Sequence, residues 1–197
     1  MKKGQNFNHP KKGSRIKVDP IKSKKHIRTI KKMLSENPLE YALFVIGINT
    51  NLRASDILGI RVGQVKNLKP GAEFALKERK TGKERLITLN RACYRAVEQL
   101  LESGAYADTD FLFTGQRGPW AVTTVNKKVK SWCKAINLKG NYGGHTLRKT
   151  WGYHQRVSFG VDLPTLMEIF NHSTQKQTLS YLCIQPEEIR KVYENEL

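Results

Sequence analysis

Two arginines, two histidines and a tyrosine stand where their chemistries could combine. Arg53 lies in Asn-Leu-Arg-Ala-Ser-Asp, His145 and Arg148 follow in His-x-x-Arg order, then His172, and Tyr181 nine positions later. An arginine presents a planar fork of donors that matches two oxygens of a phosphate. Two such forks neutralise the charge that grows on a pentacoordinate phosphorus, a task that metal ions perform in other phosphoryl-transfer enzymes. A tyrosine hydroxyl is an oxygen nucleophile once its proton is removed, and histidine is a suitable base or hydrogen-bond donor beside it. Lys80, on a predicted hairpin, could protonate a leaving 5′-oxygen. Together these residues fit metal-free attack on a phosphodiester.

Taken singly, each has an ordinary reading. Arg53 with Asp56 makes a helix-start ion pair, and His145 with Arg148, one helical turn apart, makes a surface pair. His172 caps a helix, and Tyr181 between Leu179 and Leu182 belongs to an amphipathic core. Lys80 among Arg79, Lys83 and Arg85 is a solvated turn. The joint occurrence, in one order and at these spacings, favours the chemical reading.

The chain has 197 residues, enough for one domain with a full core, and its hydrophobic content of 39% is compatible with a globular fold. The longest apolar run, 41–48, is far shorter than the roughly 20 residues of a membrane span. No apolar stretch follows the basic N-terminus, so no signal peptide is expected. Cys93, Cys133 and Cys183 lie far apart without metal-ligand spacing, which suits reduced core or surface thiols in a cytoplasmic protein. Net charge is +18, unevenly spread. Residues 1–35 hold 12 Lys and Arg against one acid, hence +11, and the remainder holds 23 against 16, hence +7. A basic arm on a moderately basic body suits a polyanion, most simply nucleic acid, although a solubilising tail gives the same pattern.

The elements that must position these residues are mostly helical. Residues 1–20, with Gly4, Pro10, Gly13 and Pro20 among lysines, read as a flexible basic arm, and 21–197 as the folded domain. A helix is predicted over 22–35. Asn37-Pro38 reads as the cap and first position of a second helix, ending near Asn51, and a short one follows over 54–58. The period then changes. Residues 73–78 and 84–89 read as strands of a β-hairpin turned at 79–83. A helix over 90–103, a short buried segment at 110–113 and a loop at 115–119 follow. Thr123 is expected to cap a helix to about Ile136, with Val125, Val129, Trp132 and Cys133 inward. Further helices are predicted over 146–160, 164–170, 174–182 and 186–194. The fold class is mainly α with a small antiparallel β-sheet (α+β).

The same residues resemble the tyrosine recombinase (phage integrase) family. Leu52-Arg53-Ala54-Ser55-Asp56-Ile57 is similar to its first-arginine motif, and Lys80-Thr81-Gly82-Lys83 to its hairpin-lysine motif. His145-Thr146-Leu147-Arg148, Phe170-Asn171-His172-Ser173 and Thr178-Leu179-Ser180-Tyr181 resemble its second-arginine, second-histidine and nucleophile motifs. These motifs in order, across about residues 20–185, are specific where one alone is weak. Three positions depart. Asn171 stands where glycine is usual, Lys149 where histidine often follows the arginine, and Gly144 where proline is frequent.

The resemblance implies a tyrosine recombinase/integrase catalytic-core fold and a site-specific recombination that needs no metal, ATP or other cofactor. Tyr181 would form a 3′-phosphotyrosine, with Lys80 as general acid. Arg53, Arg148 and His172 would stabilise the transition state, His145 would assist proton transfer and Asp56 would orient Arg53 from behind. The partner is double-stranded DNA, gripped by Lys11, Lys12, Arg15, Lys17, Lys24, Lys25 and Lys83. A homotetramer on paired sites is expected, monomeric or weakly associated without DNA, with 186–197 either a helix donated to a neighbour or one packed on its own domain. Most family members carry a separate core-binding domain ahead of the catalytic one. The arm is too short for it, so the chain is expected to be a fragment or to resemble the short fimbrial-type DNA invertases. Two alternatives stay open: a type IB topoisomerase-like relaxing enzyme, and a non-catalytic recombinase-like DNA-binding protein.

Overall fold

A computed structural model describes residues 17–80, 82–183, 193, 194 and 196. The arm residues Lys11, Lys12 and Arg15 lie outside the described residues, as do residues 186–192 of the helix expected over 186–194, and Tyr193 and Glu194 are in a turn.

Helix α1 (Lys24–Met33) starts at Ser23, whose side chain accepts from the Lys25 amide at 3.2 Å. Helix α2 (Pro38–Gly47) starts at Asn37, which accepts from the Glu40 amide at 3.1 Å, with Pro38 in the first turn where no amide donor is missed. Its residues from Ala42 to Gly47 are all buried, so α2 is the central strut. It ends before Asn51, sooner than its sequence suggests. The side chains of Asn49 and Thr50 donate to the carbonyls of Val45 and Ile46 at 2.8 Å, and Asn51 turns left-handed at φ 54°.

Two short helices follow, α3 (Ala54–Ile57) and α4 (Val62–Val65). The second is held by the Gln64 side chain accepting from the Arg61 amide at 2.9 Å, and four residues are too few for a readable period. Strands β1 (Glu73–Lys77) and β2 (Glu84–Thr88) pair antiparallel from Glu73↔Thr88 to Lys77↔Glu84. Phe74, Leu76 and Ile87 face inward with the strand period of two. Helix α5 (Arg91–Glu102), capped by Asn90, packs on α2. Residues 115–119, expected to be a loop, belong to a tight hairpin of β3 (Thr114–Gly115) and β4 (Gly118–Pro119), turned where Gly118 takes φ 96°.

Helix α6 (Val122–Ala135) buries Val125, Val129, Trp132 and Cys133, the face read from sequence. Thr123 does not cap it. The carbonyl of Ala121 already accepts from the amides of Thr124 and Val125, so the helix begins earlier, with no side-chain cap. Helices α7 (Gly144–Phe159), α8 (Leu163–Phe170) and α9 (Gln175–Leu182) complete the order. The result is mainly α with two small antiparallel hairpins.

Two apolar clusters hold these elements. The larger runs from Ile21 to Leu147 through α1, α2, β1, β2, α5 and α6. The smaller is Leu166, Phe170 and Leu182, flanked by Trp151, Val161, Leu163 and Tyr181. Helix α7 joins them at glycine contacts. A Cβ on Gly47 would sit 2.5 Å from Leu147 Cδ1, and one on Gly152 would sit 2.5 Å from Phe170 Cζ and 2.7 Å from Leu182 Cδ2. No described helix is long and apolar enough to cross a membrane.

Candidate active site

Arg53 occupies the extended residue just before α3, and its side chain makes no cap bond to that helix. Its Nη1 donates to Glu78 Oε2 at 2.9 Å and lies 3.7 Å from Asp56 Oδ2. Asp56 is buried. Its Oδ1 accepts from the Arg79 amide at 3.0 Å, so one carboxylate ties the Arg53 turn to the hairpin. Glu78 is also buried, and its Oε1 accepts from Arg85 Nη1 at 3.0 Å. The amide of Glu78 donates to the Lys83 carbonyl at 2.8 Å, and that of Gly82 donates to the Glu78 carbonyl at 2.8 Å. This closed turn carries Lys80, which is exposed.

His145 and Arg148 lie one turn apart at the start of α7. That start is anchored by Asn126 of α6, whose Oδ1 accepts from the Gly144 amide at 2.6 Å. Arg148 is buried, 4% exposed. Its Nη2 donates to the Phe170 carbonyl at 3.4 Å and its guanidinium lies 5.3 Å from the Phe170 ring centre, while Nη1 is buried without a partner. Burial lowers its pKa first, with the Arg53 and Arg85 cations adding to the effect against Tyr181 and Glu78.

Asn171 ends α8 in the left-handed region at φ 55°. Asparagine tolerates that conformation almost as glycine does, so the departure at this position keeps the backbone form. The next residue, His172, stacks on Phe170 at 5.2 Å and shares a 3.0 Å hydrogen bond between Nδ1 and Thr178 Oγ1. With Thr178 donating, Nε2 keeps its proton and can donate outward. Tyr181 lies on α9, 5.0 Å from Phe170 and 5.3 Å from His172 between ring centres. Its hydroxyl is buried without a partner, and burial pushes its pKa up to about 12 against the pull of Arg148 and Arg53. Both histidines are held below their ordinary range. Desolvation acts first on each, followed by Arg148 and Arg53, with Lys149 and Lys80 also acting on His145.

Two adjoining hollows share Lys80 and His145. One is lined by Arg53, Ser55, Val122 and Asn126, the other by Tyr181, Lys149, Thr174 and Lys17. Of the six side chains read from sequence, Arg53, Lys80, His145 and Tyr181 line this cleft, while Arg148 and His172 pack on Phe170 next to Tyr181, and Asp56 stands behind Arg53. Of the lysines expected to grip DNA, Lys17 lines this cleft, Lys25 and Lys83 are exposed, and Lys24 lies 5.4 Å from the Phe159 ring centre. Glu78, Lys149, Thr178 and Asn126 are additions that the sequence did not single out for the site. The signal for Glu78 was an acid inside a run of bases, and for Lys149 a departure from the family pattern.

Residues 14–188 match the model of the Phage integrase family. The chain is 32% identical over 181 residues to a protein described as Probable integrase/recombinase YoeC of Bacillus subtilis (strain 168), covering 89% of this chain and 95% of that one. It is 29% identical over 174 residues to tyrosine recombinase XerC of Caldanaerobacter subterraneus subsp. tengcongensis, covering 86% of this chain and 47% of that one. The chain therefore spans about half the length of this XerC relative. Among solved structures, XerA recombinase superposes with a TM-score of 0.71 at 18% identity, over 94% of this chain and 65% of that one. XerH recombinase, in a post-cleavage complex with its palindromic difH substrate, gives 0.70 at 17%, over 92% and 55%. At these identities the structural likeness is one of fold.

Proposed function

The chain belongs to the phage integrase family, and on that premise we propose that it is a site-specific tyrosine recombinase that cuts and rejoins DNA through Tyr181. The observation that carries the reading is a pair of orphaned donors. Arg148 Nη1 and the Tyr181 hydroxyl are both buried without partners beside a cleft rich in cations. Buried donors in proteins are ordinarily paired, and a phosphodiester supplies the oxygens that would satisfy these.

The step follows from the arrangement. The hydroxyl proton of Tyr181 passes to His145, which desolvation and its cationic neighbours keep neutral and able to accept it. The phenolic oxygen attacks phosphorus, forming the 3′-phosphotyrosine bond as the bond to the 5′-oxygen breaks. Lys80, on its exposed turn, protonates that leaving oxygen. Arg53, Arg148 and His172 donate to the non-bridging oxygens as their charge grows. Asp56 and Glu78 hold Arg53 in place without entering the cleft. A 5′-hydroxyl from another strand reverses the step, so one phosphodiester is exchanged for another without an outside energy source.

We assign residues 21–197 to catalysis and the basic segment 1–20 to added grip on the backbone, with Lys17, which lines the cleft, nearest the scissile phosphate. Assembly as a homotetramer on paired sites, with 186–197 passed between protomers, belongs to the same reading. The test is covalent capture on a nicked suicide duplex in EDTA. The expected result is a protein–DNA adduct on a denaturing gel that disappears in Tyr181→Phe while DNA affinity stays. An adduct retained by Tyr181→Phe, or no adduct with tight binding intact, would overturn the assignment.

A further inference from the structure

Lys149 is a lysine in an unusual place. It is 6% exposed, on α7 one turn beyond His145, and it faces α9. Its Nζ donates to Cys183 Sγ at 3.3 Å and lies 5.2 Å from the centre of the Tyr181 ring. Among the described residues, no carboxylate forms an ion pair with it. A sulfur and an aromatic face are weak partners beside a carboxylate, and a buried ammonium without an anion is destabilising. The expected compensation is a negative charge that arises only during the reaction.

We propose that Lys149 is a positioning residue for the nucleophile: its ammonium holds the end of α9 through Cys183 and lies against the Tyr181 ring, where it favours negative charge on the phenolic oxygen. The proposal rests on Tyr181 being the nucleophile. A cation over an aromatic ring is attracted more strongly once the ring carries a phenolate, so the contact strengthens as the proton departs. Cys183 sits one residue beyond α9 in the left-handed conformation at φ 55°. The thiol contact therefore fixes the helix end two residues from the reacting oxygen. Where the family often places histidine, this chain has a longer side chain that reaches α9.

Three roles make different predictions for substitution. Lys149→Met keeps the length and apolar stem and removes only the charge, whereas Lys149→Arg keeps the charge and adds bulk. A positioning cation predicts that Lys149→Met slows adduct formation on the nicked suicide duplex at least about tenfold, that Lys149→Arg stays within about threefold of the unaltered chain, and that DNA affinity changes less than about twofold in both. Plain packing predicts the reverse, with Lys149→Met tolerated and Lys149→Arg damaged. A phosphate clamp predicts that affinity falls with rate, together with a smaller salt slope.

A duplex with sulfur in place of the leaving 5′-oxygen adds a further readout, because a thiolate leaves without a proton. It should restore Lys80→Ala, which acts on the leaving group, and leave the defect of Lys149→Met unchanged. Rescue of Lys149→Met by that duplex, unimpaired cleavage by it, or a loss matched by weaker binding would each overturn the proposal. Should Lys149→Met fail to fold, Cys183→Ala carries the test by removing only the thiol. About threefold slower cleavage at unchanged affinity supports the role, and unchanged cleavage overturns it. Failure of the unaltered chain to form any adduct would overturn the Tyr181 assignment itself, and the proposal with it.

Discussion

Arg53 and Tyr181 face one cleft from supports of opposite character. Behind Arg53 stand two buried carboxylates, Asp56 and Glu78, which bind it, the Arg79 amide and Arg85 in one charged network on the larger core. Behind Tyr181 stand Phe170, Leu166 and Leu182, a small apolar cluster attached through α7. Charge pairs fix direction, as a binding group requires before substrate arrives. A thin apolar contact fixes position with less energy and can shift more readily, which suits the nucleophile proposed at Tyr181. Arg148 lies where the two supports meet. It is fixed by the Phe170 carbonyl and ring, and one of its nitrogens is left unpaired.

The sharpest way to separate function from stability is at that meeting point. Arg148→Met removes a buried cation whose Nη1 has no partner, so the thermal midpoint should hold or rise. Covalent cleavage should fall about a thousandfold, the usual effect of removing a donor aimed at transition-state charge. A melting curve beside an adduct time course checks both, and a large loss of stability with cleavage preserved would make Arg148 structural.

The apolar support can be broken alone. In Gly152→Ala the new Cβ would meet Phe170 Cζ at 2.5 Å and Leu182 Cδ2 at 2.7 Å. Overpacking of this kind costs about 1–3 kcal/mol, and a nucleophile displaced by an ångström loses about a hundredfold in rate. Hydrogen exchange should speed up in α8 and α9 while α2 and α5 keep their protection. Equal loosening of all four helices would mean that the two clusters melt as one. On the charged side, Glu78→Gln keeps the shape and removes the anion between Arg53 and Arg85. Stability should drop by about 2 kcal/mol and cleavage by about tenfold, with exchange in α9 unchanged.

The contrast between the supports also explains what could be read from the sequence. Local signals marked the elements: Asn37-Pro38 and Asn90 at helix starts, the alternation around Phe74 and Ile87, and the inward face of α6. The side chains proposed to react stand out by type and order. Their supports do not. Glu78 sits among Lys77, Arg79 and Lys80, where an acid reads as a solvated charge, and only hairpin closure brings it to Arg53. Lys149 likewise gains meaning from α7 and α9 lying together, and Thr178 from α9 turning back on His172 beyond α8. Helix α4 and the early end of α2 escaped because side chains of Gln64, Asn49 and Thr50 decide them over one turn.

The smallest expected effect is a shared one, through histidines on both sides of α7. His145 lines the cleft, His172 lies beside Tyr181 at 5.3 Å between ring centres, and His154 lies away from both, its Nε2 3.0 Å from the Ile21 carbonyl. Desolvation comes first in holding all three below their ordinary range, with cationic neighbours adding to it. In the unfolded chain each titrates near about 6.5. At neutral pH and above they are uncharged in both states, so their contribution to stability is fully present. As pH falls below about 6.5 the unfolded chain takes up protons first, and stability is lost until the folded pKa is passed. The thermal midpoint should therefore be flat from about pH 8 to 7 and fall toward pH 5. A bound phosphate opposes the cations around His145 and His172 and raises their pKa, but it leaves His154 untouched. Adding a duplex should thus flatten the acid slope in the unaltered chain. His154→Gln should flatten it with or without DNA, whereas His172→Gln should do so mainly without DNA. A slope insensitive to His172→Gln in the absence of DNA would remove the cleft from this linkage and leave it to the structural histidine.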